Sequence, residues 1–377
     1  MKILAIETSC DETGIALVEG KKGGNSFSFV VLKNALLSQA LLHSPYGGVY
    51  PNLAKREHQK NLPVLFEQFK NEEFDAIAVT AGPGLEPALW TGITFAEALA
   101  KETGKPLFPI NHMEGHLISS LIQGGELKDI ELPVLGLLIS GGHTEFVLMR
   151  DWFEYELVGS TLDDAVGEAF DKVARTLNLP YPGGPQISKL ASEARRVDTS
   201  IAQGDGPSIA NFQQEMTRAS GGSVLRSIPR LPRPMISENS CDVSFSGLKT
   251  AVLYAVRDMG GIQNLGAAEV AAFAREFEDA VADVLISKTK RALRETGART
   301  MVLGGGVAAN IHLRKVIKEA VAKEYPEVTF LLPETSITGD NAIMIAEAAL
   351  TRVLSDKISP TIEPIVARGN LSLSTAV

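Results

Sequence analysis

The sequence predicts an α/β protein of duplicated build, with two lobes and a cleft between them. Three observations lead there. Lys2 to Thr8 and Gly14 to Val18 are apolar runs around a polar turn, Ser9 to Thr13, which reads as a β-hairpin with hydroxyls and carboxylates at its tip. The same order returns at Val134–Ile139, Ser140–Thr144 and Glu145–Met149. Each hairpin is followed by a strand, a glycine turn and a helix: Phe74–Thr80 runs into Ala81-Gly82-Pro83-Gly84-Leu85, and Thr300–Leu303 into Gly304-Gly305-Gly306. Sequence identity between the halves is negligible, so the repeat is one of element order.

Between these landmarks, Val30–Leu32 suits a strand and Pro51–Phe69 a helix with Leu53, Leu62, Val64, Leu65 and Phe69 among charges. A helix follows Leu85 through Ala100, then a short strand, Pro106–Ile110. The period of Leu162, Val166, Ala169, Phe170, Val173 and Leu177 predicts a helix over 162–177, stopped by the breaker Pro180 to Pro185. Arg196 to Ser240 is rich in Gln, Ser and Pro and reads as a long surface excursion. Long helices follow Gly247 up to Glu295. A helix opens near Ala309, and the last runs from Asp340 to about Leu354. The expected division is a first lobe over 1–110, completed by the C-terminal helix in 340–377, and a second lobe over 111–339.

With 377 residues the chain is long enough for two domains with a sizeable core. Its 45% hydrophobic and 21% charged content is that of an ordinary globular protein. No apolar run is long enough to span a bilayer, and a strand pattern begins at Lys2, so neither a membrane span nor a leader peptide is expected. Two cysteines, Cys10 and Cys241, make no disulfide framework, which points to a reduced, cytoplasmic protein. The net charge of −9 argues against broad, non-specific nucleic-acid binding. It leaves room for a local basic patch or for a partner that supplies one.

Asn111-His112-Met113-Glu114-Gly115-His116 places two imidazoles four residues apart, on one face of a helix, where both could meet a single metal ion. A bland alternative is two ordinary half-buried histidines. Glu114 sits at the wrong offset for a zincin, whose glutamate must stand beside the metal-bound water. Asp340 is a possible third ligand. It stands directly before an apolar helix, though, and from the residues alone an N-cap is the stronger reading. The two hairpin tips and the glycines at 304–306 offer backbone amides suited to phosphate oxygens, or else are ordinary turns. Asp164, Glu168 and Asp171 form a helical stripe that could take ribose hydroxyls or Mg²⁺, and Arg226, Arg230 and Arg233 could touch phosphates. Solvated surface is the alternative for both groups.

Taken together, these stretches are more specific than any one alone. Ile6 to Thr13, Asn111 to His116, Ser140 to Thr144, Ala169 to Lys172, Tyr181 to Pro185, Phe245 to Thr250, Gly304 to Asn310 and Asp340-Asn341-Ala342 follow one another as in a single family. The chain resembles the TsaD family of tRNA threonylcarbamoyladenosine-modifying proteins, in its bacterial or organellar form, over nearly its whole length. The resemblance implies an actin-like, sugar-kinase/Hsp70-type two-lobed fold. It implies transfer of a threonylcarbamoyl group from threonylcarbamoyl-AMP to N6 of adenosine 37 in tRNAs reading codons that start with A. His112, His116 and Asp340 would hold one divalent metal, iron or zinc. Ile139, Ser140, Gly141, Gly142 and His143, with Asp171, Gly184 and Asn310, would bind the adenylate. Thr8, Asp11 and Glu12 would line the nucleotide cleft, with ATP and Mg²⁺ as further candidate ligands. No general base stands out; His143 is the candidate. Implied partners are tRNA, a degenerate paralogue (TsaB-like) forming a heterodimer, and a small P-loop ATPase (TsaE-like).

The chain departs from the family pattern in three places. A glycine precedes the aspartate in Ile337-Thr338-Gly339-Asp340, where Cys-Thr-Asp is usual. Asn52 stands where a glutamate is usual, and the 196–240 excursion is long. Arg230 and Arg233 match a Pro-Arg-Pro element of the family. Two rivals from other classes are a metal-dependent endopeptidase and a non-catalytic actin-like ATP-binding scaffold.

Overall fold

The structure is a computed structural model. It describes residues 1–377 except 25, 128–129, 204–226, 335–336, 362 and 375–377, and for 197–203 the backbone course alone. In the first half, β1 (Lys2–Glu7), β2 (Glu12–Gly23) and β3 (Ser26–Ser38) form an antiparallel meander. A short helix α1 (Ala40–His43) and α2 (Pro51–Phe66) follow. Then β4 (Ala76–Gly82), α3 (Glu86–Thr103) and β5 (Leu107–Asn111) extend the sheet in parallel on the other side of β1. Helix α4 (His112–Leu121) leaves that sheet, and β6 (Glu126–Leu127) returns to it beside β3. The first sheet thus takes a strand from beyond residue 110.

The second half repeats this plan. β7 (Val134–Ile139), β8 (Thr144–Asp151) and β9 (Glu154–Ser160) form the meander. Helices α5 (Val166–Thr176), α6 (Gly183–Gln203), α7 (Ser246–Asp258) and α8 (Ala267–Thr296) follow. Then come β10 (Thr300–Gly304), α9 (Ile311–Glu324), β11 (Thr329–Leu331) and α10 (Ala342–Leu354). The sheet orders are β5-β4-β1-β2-β3-β6 and β11-β10-β7-β8-β9. Setting β6 aside, each strand has a counterpart in the other half with the same neighbours and directions. This is the duplicated, actin-like arrangement.

By the same correspondence α4, which follows β5, is the counterpart of α10, which follows β11. Both are buried nearly all round: every residue of α4, and Ala342 to Thr351 of α10. Such helices belong to an interior. Met113, Leu117 and Leu121 of α4 and Met344, Ala348 and Leu350 of α10 share one core with residues of both sheets, among them Ile3, Ala16, Leu138 and Val302. Among the described residues, no helix is long and apolar enough to cross a membrane.

The structure corrects several boundaries. The helix expected over 162–177 begins at Val166, and Leu162 is exposed. Leu162 N donates to Val243 O, and the Asp163 carboxylate receives Phe245 N and the Ser244 and Ser246 hydroxyls. These long-range bonds hold 161–165 in a bent, non-helical course against its helical period. The 196–240 excursion starts inside α6, which continues to Gln203; residues 204–226 lie outside the described set, Arg226 among them. After Gly304 the chain makes a short 3-10 turn, Gly306–Ala309, before α9.

Candidate functional site

The N-termini of the two interior helices converge between the lobes. Asn111 caps α4, its side chain accepting from the Met113 and Glu114 amides. Asn341 caps α10, accepting from Met344 N at 3.1 Å. The N-cap expected at Asp340 is therefore one residue on, and the Asp340 carboxylate turns to the histidines instead. Its Oδ1 lies 3.1 Å from His116 Nε2 and 3.4 Å from His112 Nε2. The two imidazoles meet edge to face, with centroids 4.7 Å apart. One ligand atom from each of His112, His116 and Asp340 falls within 4.8 Å of the others, a set that could hold a metal ion. A Cβ at Gly339 would meet nothing within 4 Å, so the glycine before Asp340 is not required by close packing.

Behind the cluster stands Glu7, at the end of β1. Its Oε2 lies 3.2 Å from His112 Nδ1, and its Oε1 accepts from Ser9 N at 2.5 Å. Glu7 is fully buried. A carboxylate there needs charge compensation. Burial would depress His112, but Asp340 and Glu7 outweigh it and push the imidazole up to about 10. Burial would raise Asp340, but His112 and His116 drive it far below the usual carboxylate range. One buried and one half-buried carboxylate around two imidazoles thus demand positive charge. A divalent cation at the Nε2 edges would supply it in place of a proton. Two nitrogens and one oxygen suit iron or zinc.

Glu114 faces the other way, as its helical position requires. It accepts from Tyr155 OH at 2.7 Å and from Arg352 Nε at 2.8 Å, buried behind α4. It is no neighbour of the cluster.

The residues expected to bind adenylate come from four places in the second lobe. Ile139 ends β7, and the tip that follows is closed on itself. Ser140 N donates to His143 O at 2.8 Å, and His143 N donates to Ser140 Oγ at 3.0 Å. Gly141 and Gly142 are left exposed, with open space around them. Gly305, at φ +86°, lies against this strand so closely that a Cβ would stand 2.4 Å from Ile139 O. Burial and the charge on His112 push His143 down to about 4. Asp171 Oδ1 accepts from Gly183 N at 2.7 Å, which pins the first turn of α6, where Gly184 lies. Asn310 caps α9 through Leu313 N and donates from Nδ2 to Ser188 Oγ and Glu278 Oε1.

Of the first-lobe tip, the Thr8 hydroxyl is buried and donates to Ala88 O at 3.1 Å, so it bonds α3 rather than facing a cleft. Burial and Asp11 push Glu12 up to about 9. The two halves touch at Gly47, whose carbonyl accepts from Arg175 Nη2 of α5. The acidic stripe on α5 does not act together: Lys172 pairs with Asp164 at 2.6 Å and Glu168 at 2.8 Å, while Asp171 turns to α6. Arg233 is likewise taken, by Glu276 and Asp283, and Arg230 stays exposed.

The sequence model of one family, described as tRNA N6-adenosine threonylcarbamoyltransferase, matches residues 30–347. The chain belongs to the TsaD family. Among solved structures, full-length HypF in its phosphate- and nucleotide-bound form matches 94% of this TsaD chain and 46% of its own, at 13% identity and a TM-score of 0.48. HypF from T. kodakarensis matches 95% and 48%, at 12% identity and 0.46. A ROK family protein from Streptococcus pneumoniae, in complex with sucrose, matches 95% and 99%, at 14% identity and 0.40. The chain spans about half the length of the HypF chains.

Sequence reasoning quoted Glu7 within a motif but assigned it no role. Its signal was present: a carboxylate closing an otherwise apolar strand, Lys2 to Glu7, needs a buried partner. Glu278 was missed outright, being one acid among several on a long helix.

Proposed function

We propose that this TsaD chain transfers the threonylcarbamoyl group of threonylcarbamoyl-AMP to N6 of adenosine 37 in tRNAs whose anticodons read codons starting with A. The observation that carries the reading is the family match over residues 30–347. The His112–His116–Asp340 cluster at the lobe junction adds a site for the activated group.

The donor is a mixed anhydride with a good leaving group, so no protein nucleophile is needed. His112, His116 and Asp340 would hold the metal, which as a Lewis acid would orient the carbamoyl group and polarise its carbonyl. The Gly141 and Gly142 amides would receive the phosphate, where negative charge grows on the leaving oxygen. Gly184 and Asn310 would fix the adenosine part. The N6 amine is a weak nucleophile because its lone pair is delocalised. Positioning must then supply much of the acceleration, up to ~7–11 kcal/mol in ideal cases. His143, pushed down to about 4 by burial and the charge on His112, would be neutral at pH 7 and is the candidate to take the N6 proton. The acceptor base would be splayed out of the single-stranded anticodon loop, where unstacking is cheap.

With a net charge of −9, the chain would share tRNA binding with partners, a degenerate paralogue and a small P-loop ATPase, in the cytoplasm. The endopeptidase alternative is disfavoured by Glu114, whose carboxylate is taken by Arg352 and Tyr155. The test is to give the purified protein threonylcarbamoyl-AMP and tRNA and digest the tRNA to nucleosides. Threonylcarbamoyladenosine in the digest is expected. Its absence even with the partners present overturns the reading.

A further inference from the structure

We propose that Glu278 is a positioning residue that sets the gap between the two adenylate-binding elements, the first turn of α6 and the β10–α9 turn. The inference rests on the reading of Gly184 and Asn310 as adenylate contacts. Glu278 lies mid-way along α8, fully buried among Phe277, Ala274 and Val281. A carboxylate in such a place is costly unless its oxygens are bonded. Both are. Oε1 accepts from Ser188 Oγ at 2.8 Å and from Asn310 Nδ2 at 2.7 Å. Oε2 accepts from Arg195 Nη1 at 2.5 Å.

The partners come from two elements. Ser188 and Arg195 belong to α6; Asn310 belongs to the turn before α9. Ser188 is four residues after Gly184, on the same helical face. Asn310 also donates directly to Ser188 Oγ at 2.9 Å. One carboxylate oxygen therefore fixes Gly184, through Ser188, relative to Asn310. The adjacent Asp279 repeats the tie further out, receiving Arg195 Nη2 at 2.5 Å and lying 3.2 Å from His312 Nε2 of α9. Both hydrogens of the Asn310 amide are used within the protein, and its Oδ1 already accepts from Leu313 N. The side chain is thus held in one orientation before any ligand arrives. A ligand gripped between Gly184 and Asn310 meets a preset gap, and losing that gap is felt in its affinity.

The experiment measures AMP binding by calorimetry, well below each variant's melting temperature, for wild type, Glu278→Ala and Glu278→Gln. Glutamine keeps an acceptor oxygen for Ser188 and Asn310. Glu278→Ala is expected to weaken AMP by about tenfold or more and to raise the KM for threonylcarbamoyl-AMP in parallel, with kcat within about threefold. Glu278→Gln should restore both to within about threefold of wild type. Affinity for tRNA should not move. A folded Glu278→Ala that binds AMP as the wild type does overturns the proposal while leaving the adenylate reading intact. If Glu278→Ala does not fold, Ser188→Ala with Arg195→Ala removes both α6 partners of that carboxylate, and unchanged AMP affinity there overturns it equally. A wild type that fails to bind AMP sinks the adenylate reading, and this proposal with it.

Discussion

The carboxylate of Glu7 lies 3.2 Å from Nδ1 of His112, on the edge of the ring opposite Asp340. An acceptor there fixes the Nδ1–H tautomer and turns the Nε2 lone pair toward the cluster. Glu7→Gln is therefore expected to weaken iron or zinc by about tenfold, read by competition with a chelator. Unchanged affinity would mean that the Glu7 charge does not tune the site and that Ser9 Oγ, 3.1 Å from Nδ1, suffices to orient the ring.

Buried Glu114 pairs with the half-buried Arg352 behind α4, with Tyr155 as a third member. Removing one partner strands the other. Glu114→Ala should lower the unfolding free energy by about 3–5 kcal/mol, measured with denaturant, while metal content stays at wild-type level. If Glu114→Gln instead abolished activity with fold and metal intact, the carboxylate would be taking part in chemistry, as a protease would require.

Glu347 on α10 is buried, and its Oε2 has no hydrogen-bond partner among the described residues. Burial pushes it up to about 8. The folded protein then keeps a proton that the unfolded chain releases near its ordinary value. Its contribution is fully present below about pH 4.5 and is lost as pH rises through about 8. Glu347→Gln should remove that loss, making the variant more stable than wild type by up to about 5 kcal/mol above pH 8 and close to it near pH 4. Stability curves that stay parallel from pH 4 to about 8 would show that Glu347 is ionised in the fold.

The element order was legible because both hairpins mark their tips with hydroxyls and glycines, and both later strands end in glycine turns. The His pair was legible from its spacing. The third ligand, Asp340, was favoured only through the family resemblance, because Asp340 and Asn341 are adjacent residues equally able to cap a helix. Which one bends back depends on where the other helix terminus lies. The start of α5 was hidden for a similar reason: Leu162 fits the helical period, but Asp163 is bound by Ser244 and Ser246, some eighty residues away. The uses of Arg233 and Glu278 are tertiary pairings that no local pattern encodes.

The most direct test compares wild type with a folded His112→Ala variant, both given threonylcarbamoyl-AMP and tRNA, by counting threonylcarbamoyladenosine per tRNA. The wild type should modify adenosine 37, and the variant should lose most of that transfer together with its metal. Full transfer by the variant, or none by the wild type with its partners present, would contradict the account.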